Sequence, residues 1–246
     1  MLRATHSVAA LTVVGLALSA AVAPAQAAAP DGSPTRGAAA PADVDDTSLY
    51  QAGYKRDGDL LTSASAKFTV PEVDCAGVED FTGIAVGIGN EPREFDVTFL
   101  AVVLVRCDFT QPFYMMEASA GGGVYTGDAF NVAAGDEIKV SFEQDAPGDT
   151  SSAMVENFTS GEIIRSDSIS LFDTSVTFGA FPLILGGYKS DVPDFGEVRF
   201  TKNKVDGERI EEGLTKYNRE DELGVLEIKT GKLSDKGAFD LIYKSS

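Results

Sequence analysis

Short runs in which apolar and polar residues alternate occupy most of the chain after residue 60, and they predict β-strands. Segment 63–70 places Ala64, Ala66 and Phe68 on one face, and segment 136–142 alternates in the same way. Alternation with a period of two turns one side of a strand towards a core. Further strands are predicted at 81–88, 97–105, 151–156, 169–172, 175–181, 197–200, 225–228 and 238–243.

The connections between these strands complete the prediction of the fold class. Segment 97–105 is apolar on both faces, which predicts a central strand covered on both sides. Gly, Asp, Asn and Pro fill the connections, as at 121–123 and 146–148. A short helical turn is predicted only at 213–218. Many short strands without a 3.6-residue apolar stripe predict an all-β fold, a two-sheet antiparallel β-sandwich.

The first 47 residues differ in composition from the rest of the chain. Arg3 precedes the apolar stretch 8–22, and small residues fit cleavage after Ala25 or Ala27. This pattern predicts a signal peptide at 1–27 and a secreted protein, with an uncleaved membrane anchor as the alternative. Residues 28–47, rich in Ala, Pro and Gly, predict a disordered linker. Residues 48–246 then form one domain of sandwich size, with no membrane contact after cleavage.

Charge and residue types exclude several classes of function. The chain has 20 Lys and Arg against 38 Asp and Glu, a formal net charge of −18, which disfavours nucleic acid and anionic membranes as partners. Its single histidine, His6, lies in the predicted signal peptide, so the mature chain lacks Ser-His-Asp and Cys-His catalysis and histidine-based zinc sites. The acidic run 145–149 matches no EF-hand and predicts a solvated turn, with calcium as the alternative. No metal or cofactor is expected.

Two cysteines, Cys75 and Cys107, remain in the mature chain. An oxidising compartment allows them to form one disulfide, while two free thiols are the alternative. Two sulfurs without further ligands nearby do not make a metal site.

The order of several short motifs resembles the eqolisins, the G1 family of glutamic peptidases. The resemblance covers residues 49–246, and it implies a concanavalin A-like sandwich of two large antiparallel sheets. It also implies that Cys75 pairs with Cys107, because neighbouring strands bring the two cysteines together in the family. The strings that resemble family motifs are SASAKFTVP at 63–71, VGIG at 86–89, FYMME at 113–117, GD at 135–136, DFGEVRFT at 194–201 and YKSS at 243–246.

The resemblance also implies a mechanism whose two groups are missing here. In the family, a glutamate acts as general base and acid while a glutamine amide stabilises the oxyanion. Leu100 or Ala101 stands at the glutamine position, and Thr177 replaces the first of two family glutamates, with Phe181 at the second. No catalytic residue is therefore expected, since Ala101 and Thr177 can supply neither group.

A shifted alignment is the alternative, in which the amide and the acid lie elsewhere. Gln111 or Gln144 would then be the amide, and Glu117 or Glu156 the acid. Glu117 is the fallback candidate, although it matches a different family glutamate and is also read as a hydrogen-bonded groove carboxylate. Three groove tryptophans of the family are replaced as well, at Gln51, Ala85 and Met115.

These observations predict a secreted, catalytically inactive eqolisin-like protein whose concave face binds a peptide, protein or glycan. Tyr114, Met115, Met116 and Glu117 are the predicted binding residues, because methionine adapts to irregular contacts. Ordinary core positions are the alternative for the apolar members of this set. An acid-acting glutamic endopeptidase with an unlocated dyad is the competing function, and a lectin-like glycan binder is a third.

Overall fold

Two antiparallel β-sheets pack face to face in the computed structural model, and they confirm the predicted sandwich. The structure describes residues 51–57, 61–76, 82–89, 99–108, 111–120, 132–145, 150–169, 175–182, 184–185, 188–189, 192–211, 214–220 and 226–244. The predicted signal peptide and linker lie outside these residues. Within the described ranges, no helix has the length and apolar character needed to cross a membrane.

The first sheet has six strands in the order β14-β1-β9-β3-β4-β5. Its strands are β1 Ala52–Asp57, β3 Thr82–Gly89, β4 Phe99–Asp108, β5 Gln111–Ala120, β9 Ser175–Pro182 and β14 Leu214–Tyr217. The predicted helical turn at 213–218 is wrong, because 214–217 pairs with β1 as an edge strand.

The second sheet has nine strands, eight of them in the order β15-β16-β17-β12-β2-β6-β7-β8, with β13 paired to β12. Its strands are β2 Ser63–Thr69, β6 Glu137–Gln144, β7 Thr150–Asn157, β8 Ile163–Ile169, β12 Glu197–Val205, β13 Glu208–Arg209, β15 Arg219–Glu220, β16 Leu226–Thr230 and β17 Phe239–Tyr243. A separate hairpin joins β10 Ile184–Leu185 to β11 Tyr188–Lys189. Of the strand predicted at 169–172, only Ile169 is described, as the last residue of β8, and 170–172 lies outside the described residues.

Alternation along the strands builds the core between the sheets. In β2, Ala64, Ala66 and Phe68 are buried, while the residues between them are partly or fully exposed. The rings of Phe99 in β4 and Phe142 in β6 stack across the interface with centroids 4.2 Å apart. Each fully buried aromatic ring contributes about 1.5–3 kcal/mol.

Tyr54 in β1 links the two sheets by both packing and hydrogen bonds. Its ring contacts Phe239 of β17 edge to face, with centroids 5.0 Å apart. Its hydroxyl donates to the carbonyl of Gly231 at 3.0 Å and accepts from the amide of Leu233 at 2.9 Å. The buried phenol therefore has partners for both its donor and its acceptor.

The predicted disulfide is confirmed. Cys75 and Cys107 are bonded, with their Cα atoms 5.6 Å apart, and the bond joins β4 to the segment that follows β2. The same segment pairs with residue 194 through an isolated bridge at Asp74. The bond therefore connects an inner strand of the first sheet to the segment that leaves the second sheet.

Candidate functional site

The outer face of the six-stranded sheet, which is the side turned away from the second sheet, holds several of the positions that the motifs single out. Residues of β4 alternate between the two sides, so that Ala101, Val103 and Val105 pack in the core between the sheets. Val102 and Leu104 pack in a separate apolar cluster on the outer face. This cluster also contains Ala85 and Phe181 as buried residues, with Leu100 and Met115 packed partly buried against it.

Thr177 and Leu100 lie in one cross-strand row of the outer face. Thr177 of β9 pairs with Gly89 of β3, and Gly89 pairs with Leu100 of β4. Two strand spacings of about 4.8 Å separate Thr177 from Leu100, so their backbones lie about 10 Å apart. Gly89 has no side chain between them. Of the two residues at the expected glutamine position, Leu100 shares the outer face with Thr177, whereas Ala101 is fully buried between the sheets.

Glu117 is a buried carboxylic acid on the same face. It lies opposite Val102 in the β4–β5 pair and is 7% exposed. Burial raises its pKa, because water no longer solvates the charged form. Among the described residues, no hydrogen bond to its carboxyl group offsets this cost. The described contacts therefore do not include the hydrogen bonds expected if Glu117 were a hydrogen-bonded groove carboxylate.

The four predicted binding residues do not form one patch. Met115 and Glu117 lie on the outer face, whereas Met116 is fully buried in the core between the sheets. Tyr114 also packs, partly buried, against that core. Successive residues of a strand point to opposite faces, which explains the division. Met115 is therefore the one methionine of this pair that a partner on the outer face can contact.

The other candidates for a displaced dyad are far from one another. Gln144 and Glu156 belong to β6 and β7 of the second sheet, where Glu156 forms an ion pair of 3.9 Å with Lys139. Gln111 lies six residues from Glu117 along β5, about 20 Å at 3.4 Å per residue. Across the described part of the chain, these residues provide no glutamine that faces a glutamate on the outer face.

Two of the positions at which the resemblance implies a replaced family residue carry buried polar side chains on or beside this sheet. Gln51 and Thr177 are fully buried, and neither the amide of Gln51 nor the hydroxyl of Thr177 has a hydrogen-bond partner in the described structure. Gln51 precedes β1, four strands from β5, so it lies about 19 Å or more from Glu117. Gln51 and Glu117 are therefore too far apart to form a dyad. The burial of Gln51 and Thr177 depends on how the strands pack, so the residue types alone do not predict it.

Glycines form a second row on this face, directly beside the first. Gly53, Gly179 and Gly87 pair in register across β1, β9 and β3. A Cβ atom at Gly53 would lie 2.0 Å from the carbonyl oxygen of Phe178, and one at Gly179 would lie 1.9 Å from that of Ala52. Only glycine therefore allows these strands to adopt the observed backbone. On the β4 side the row continues to Val102 and Glu117.

These features define a class, a two-sheet antiparallel sandwich whose six-stranded sheet carries an apolar cluster on its outer face and, among the described residues, one buried acid there. The chain belongs to the Peptidase A4 family, whose model matches residues 50–222. No curated protein sequence matches the chain.

Solved structures of glutamic peptidases have the same fold. Scytalido-glutamic peptidase with a peptide-based transition-state analogue is 17% identical with a TM-score of 0.64, covering 80% of this chain and 98% of the peptidase. SCP-B, a member of the eqolisin family in complex with the tripeptide Ala-Ile-His, is 18% identical with a TM-score of 0.58 and the same coverage. Aspergilloglutamic peptidase from Aspergillus niger is 20% identical with a TM-score of 0.52, covering 74% of this chain and 99% of the peptidase.

Replacing Glu117 by glutamine should stabilise the protein at neutral pH. The raised pKa means that the folded state holds a proton that the unfolded chain releases, so stability falls as pH rises from about 4.3 through the folded-state pKa. Glu117→Gln removes this loss, so its urea midpoint should exceed that of the parent at pH 7 and equal it at pH 3. Glu143→Gln on the exposed side of β6 is the control. An equal effect of Glu117→Gln at both pH values would contradict the assignment.

Proposed function

We propose that this chain is a non-catalytic member of its family that binds extended peptide segments on the outer face of the six-stranded sheet. The observation that carries the proposal is the row Thr177–Gly89–Leu100, where a hydroxyl and a hydrocarbon stand at the positions expected for the acid and the amide. Loss of one oxyanion donor costs about 10²–10³ in rate. Loss of the base as well removes the group that activates water.

The apolar residues along β4 beside this row also support the proposal. Leu100, Val102 and Leu104 follow one another on the outer face of β4, and hydrocarbon side chains neither accept protons nor stabilise an oxyanion. Glu117 is the one buried acid of this face within the described residues, and Val102 lies opposite it in the adjacent strand. A single carboxyl group beside hydrocarbon lacks the second group that the family mechanism requires.

The part of this face that is open to a partner runs along β4 and β5. We call it the β4–β5 strip, defined by the half-buried residues Leu100, Arg106, Phe113 and Met115. The guanidinium of Arg106 lies 4.1 Å from the centroid of the Phe113 ring and forms an ion pair of 3.1 Å with Asp108. A surface of aromatic, thioether and aliphatic groups with a fixed cation suits apolar side chains of a peptide.

The relatives support a peptide rather than a glycan as the partner. The structures similar to this chain include one with a peptide-based transition-state analogue and one with the tripeptide Ala-Ile-His. A protein or a glycan is the alternative partner if the unfolded polypeptide used in the test does not bind. Secretion of the protein remains part of the same proposal, and it rests on the predicted signal peptide.

Reduced and alkylated lysozyme, an unfolded protein, tests both halves of the proposal. We expect the mature protein to leave this substrate uncut between pH 2 and pH 5, the range in which a carboxylate base is partly ionised. Scytalido-glutamic peptidase serves as the active comparison. Gel electrophoresis follows cleavage, and fluorescence anisotropy of the labelled substrate follows binding. Cleavage that Glu117→Gln abolishes would show that the chain is an active peptidase with a displaced acid.

Matched methionine variants locate the binding. Met115→Ser should weaken binding about fivefold, because a half-buried methionine contributes about 1 kcal/mol. Met154→Ser is the control, since Met154 is also half-buried but lies on β7 of the second sheet. Equal effects of the two variants, or no binding of the labelled substrate, would overturn the peptide-binding half while leaving the cleavage result intact.

A variant that restores the glutamine amide and the glutamate carboxyl group provides a case in which the assay should detect cleavage. Leu100→Gln with Thr177→Glu places both groups on the outer face with only Gly89 between them. Ala101→Gln would instead bury an amide between the sheets. The double variant is expected to recover trace cleavage, while each single variant stays inactive, because groups that act as a unit are not additive.

A further inference from the structure

A second surface, on the exposed side of the nine-stranded sheet, carries a cluster of cationic side chains that the negative net charge of the chain does not predict. A pocket of about 660 Å³ lies against β12, β13 and the segment before β17. Five cationic side chains line it together with one acid, and they are Arg199, Lys202, Lys204, Arg209, Lys236 and Asp235. One quarter of the 20 Lys and Arg residues of a chain with net charge −18 thus surrounds one pocket.

A β-bulge in β12 creates this concentration of charge. The register of β12 against β2 shifts between Thr201 and Lys204, and Lys202 has a φ of 52°. A regular strand would turn Lys202 inward with Phe200, which is fully buried. The extra residue of the bulge keeps Lys202 exposed on the side of Arg199 and Lys204. A left-handed conformation costs a lysine about 1–2 kcal/mol, and the fold retains it here.

Three of the five cations have no acidic partner in the described structure. Arg199 forms an ion pair of 3.1 Å with Asp240, and Arg209 lies 3.9 Å from Glu211. Among the described residues, Lys202, Lys204 and Lys236 form no ion pair. Uncompensated cations around a cavity attract anions, and the attraction weakens as salt screens it.

The remaining polar groups of the pocket favour a ligand that also has hydroxyl groups. Thr201 and Ser234 contribute side-chain hydroxyls, and Asp235 contributes a carboxylate that accepts from hydroxyls but repels a bare anion. Asn203 is fully buried, and its Nδ2 donates to the carbonyl of Gly237 at 2.6 Å. Its Oδ1 has no hydrogen-bond partner among the described residues.

We propose that this pocket binds an oligosaccharide that carries anionic groups, either carboxylate or sulfate. A volume of about 660 Å³ lies within the range of small-molecule sites. A neighbouring depression of about 290 Å³ shares Arg199, Thr201 and Lys202, so the surface continues beyond the first pocket along β2 and β12. Cations bind the anionic groups, while the hydroxyls and the carboxylate bind the sugar hydroxyls. The proposal is independent of the outer face of the first sheet.

Calorimetric titration of the mature protein at low ionic strength tests the proposal. The probes are trigalacturonate for carboxylates, a heparin-derived tetrasaccharide for sulfates, maltotriose as a neutral sugar and inorganic polyphosphate as an anion without sugar. We expect at least one anionic oligosaccharide to bind, maltotriose not to bind and polyphosphate to bind at least tenfold more weakly. Which anionic probe binds more tightly identifies the anionic group.

Two double variants with the same loss of charge locate the site. Lys204→Gln with Lys236→Gln should weaken binding at least tenfold, whereas Lys216→Gln with Lys229→Gln should change it less than twofold. Lys216 and Lys229 are exposed on β14 and β16, and neither lines the pocket. Unchanged urea midpoints confirm that both variants fold. Equal losses in the two variants, polyphosphate binding as tightly as the sugars, or binding of neither anionic oligosaccharide would each overturn the proposal.

Discussion

Alanine at Gly179 should destabilise the protein by more than about 4 kcal/mol, the range in which single substitutions unfold many domains. The new Cβ would lie 1.9 Å from the carbonyl oxygen of Ala52 and 2.9 Å from its carbonyl carbon. Both atoms belong to the backbone of the paired strand, so no side-chain rotation relieves the overlap. The strands β1 and β9 would have to separate at the centre of the six-stranded sheet.

Gly161→Ala is the matched control for this substitution. Gly161 has a φ of 80°, and a Cβ atom there meets nothing within 4 Å. Its substitution should cost only about 1–2 kcal/mol, the strain of a left-handed residue. Urea unfolding of both variants separates steric overlap from backbone strain. A Gly179→Ala protein within about 1 kcal/mol of the parent would show that the strands tolerate a wider spacing.

Removal of the disulfide should cost about 3–4 kcal/mol. Cys75 and Cys107 are 32 residues apart, and a bond that closes a loop of this length restricts the unfolded chain by that amount in the entropy model. Cys75→Ala with Cys107→Ala keeps both buried positions apolar. The free energy of unfolding, measured in urea without reductant, should fall by the stated amount.

The parent protein supplies the control for this experiment. Unfolding it in urea with reductant breaks the same bond without a substitution, so the two losses of stability should agree within about 1 kcal/mol. A double-alanine variant as stable as the oxidised parent would contradict the entropic argument, because loss of the bond would then not have stabilised the unfolded chain.

Strands in which apolar and polar residues alternate could be predicted from the sequence. Strands whose conformation depends on pairing with distant strands could not. Segment 63–70 alternates and forms β2 Ser63–Thr69, since one of its faces meets the core. β1 Ala52–Asp57 shows no such pattern, yet β9 and β14 pair with it on both sides. Its conformation is set by residues more than 100 positions away. The edge strand β14 is explained in the same way.

The candidate site was predictable to the level of the family but not to the level of faces. Motif spacing assigns Thr177 to the acid position and Leu100 or Ala101 to the amide position, and of these two it is Leu100 that shares a cross-strand row with Thr177. Residues 114–117 do not form the single patch that was predicted, because successive side chains of a strand point to opposite faces of the sheet. The bulge at Lys202 has no sequence signature, because a lysine in a left-handed conformation is held there by the surrounding strands.

The hydroxyl of Tyr54 joins two regions that would otherwise open independently. Tyr54 follows Gly53 of the glycine row, and its hydrogen bonds hold Gly231 and Leu233 just ahead of Ser234 in the cationic pocket. Local unfolding of the pocket segment must break these bonds to the first sheet. Amide exchange at Leu233 therefore reports on the contact between the sheets, and the segment belongs to the same cooperative folding unit as β1.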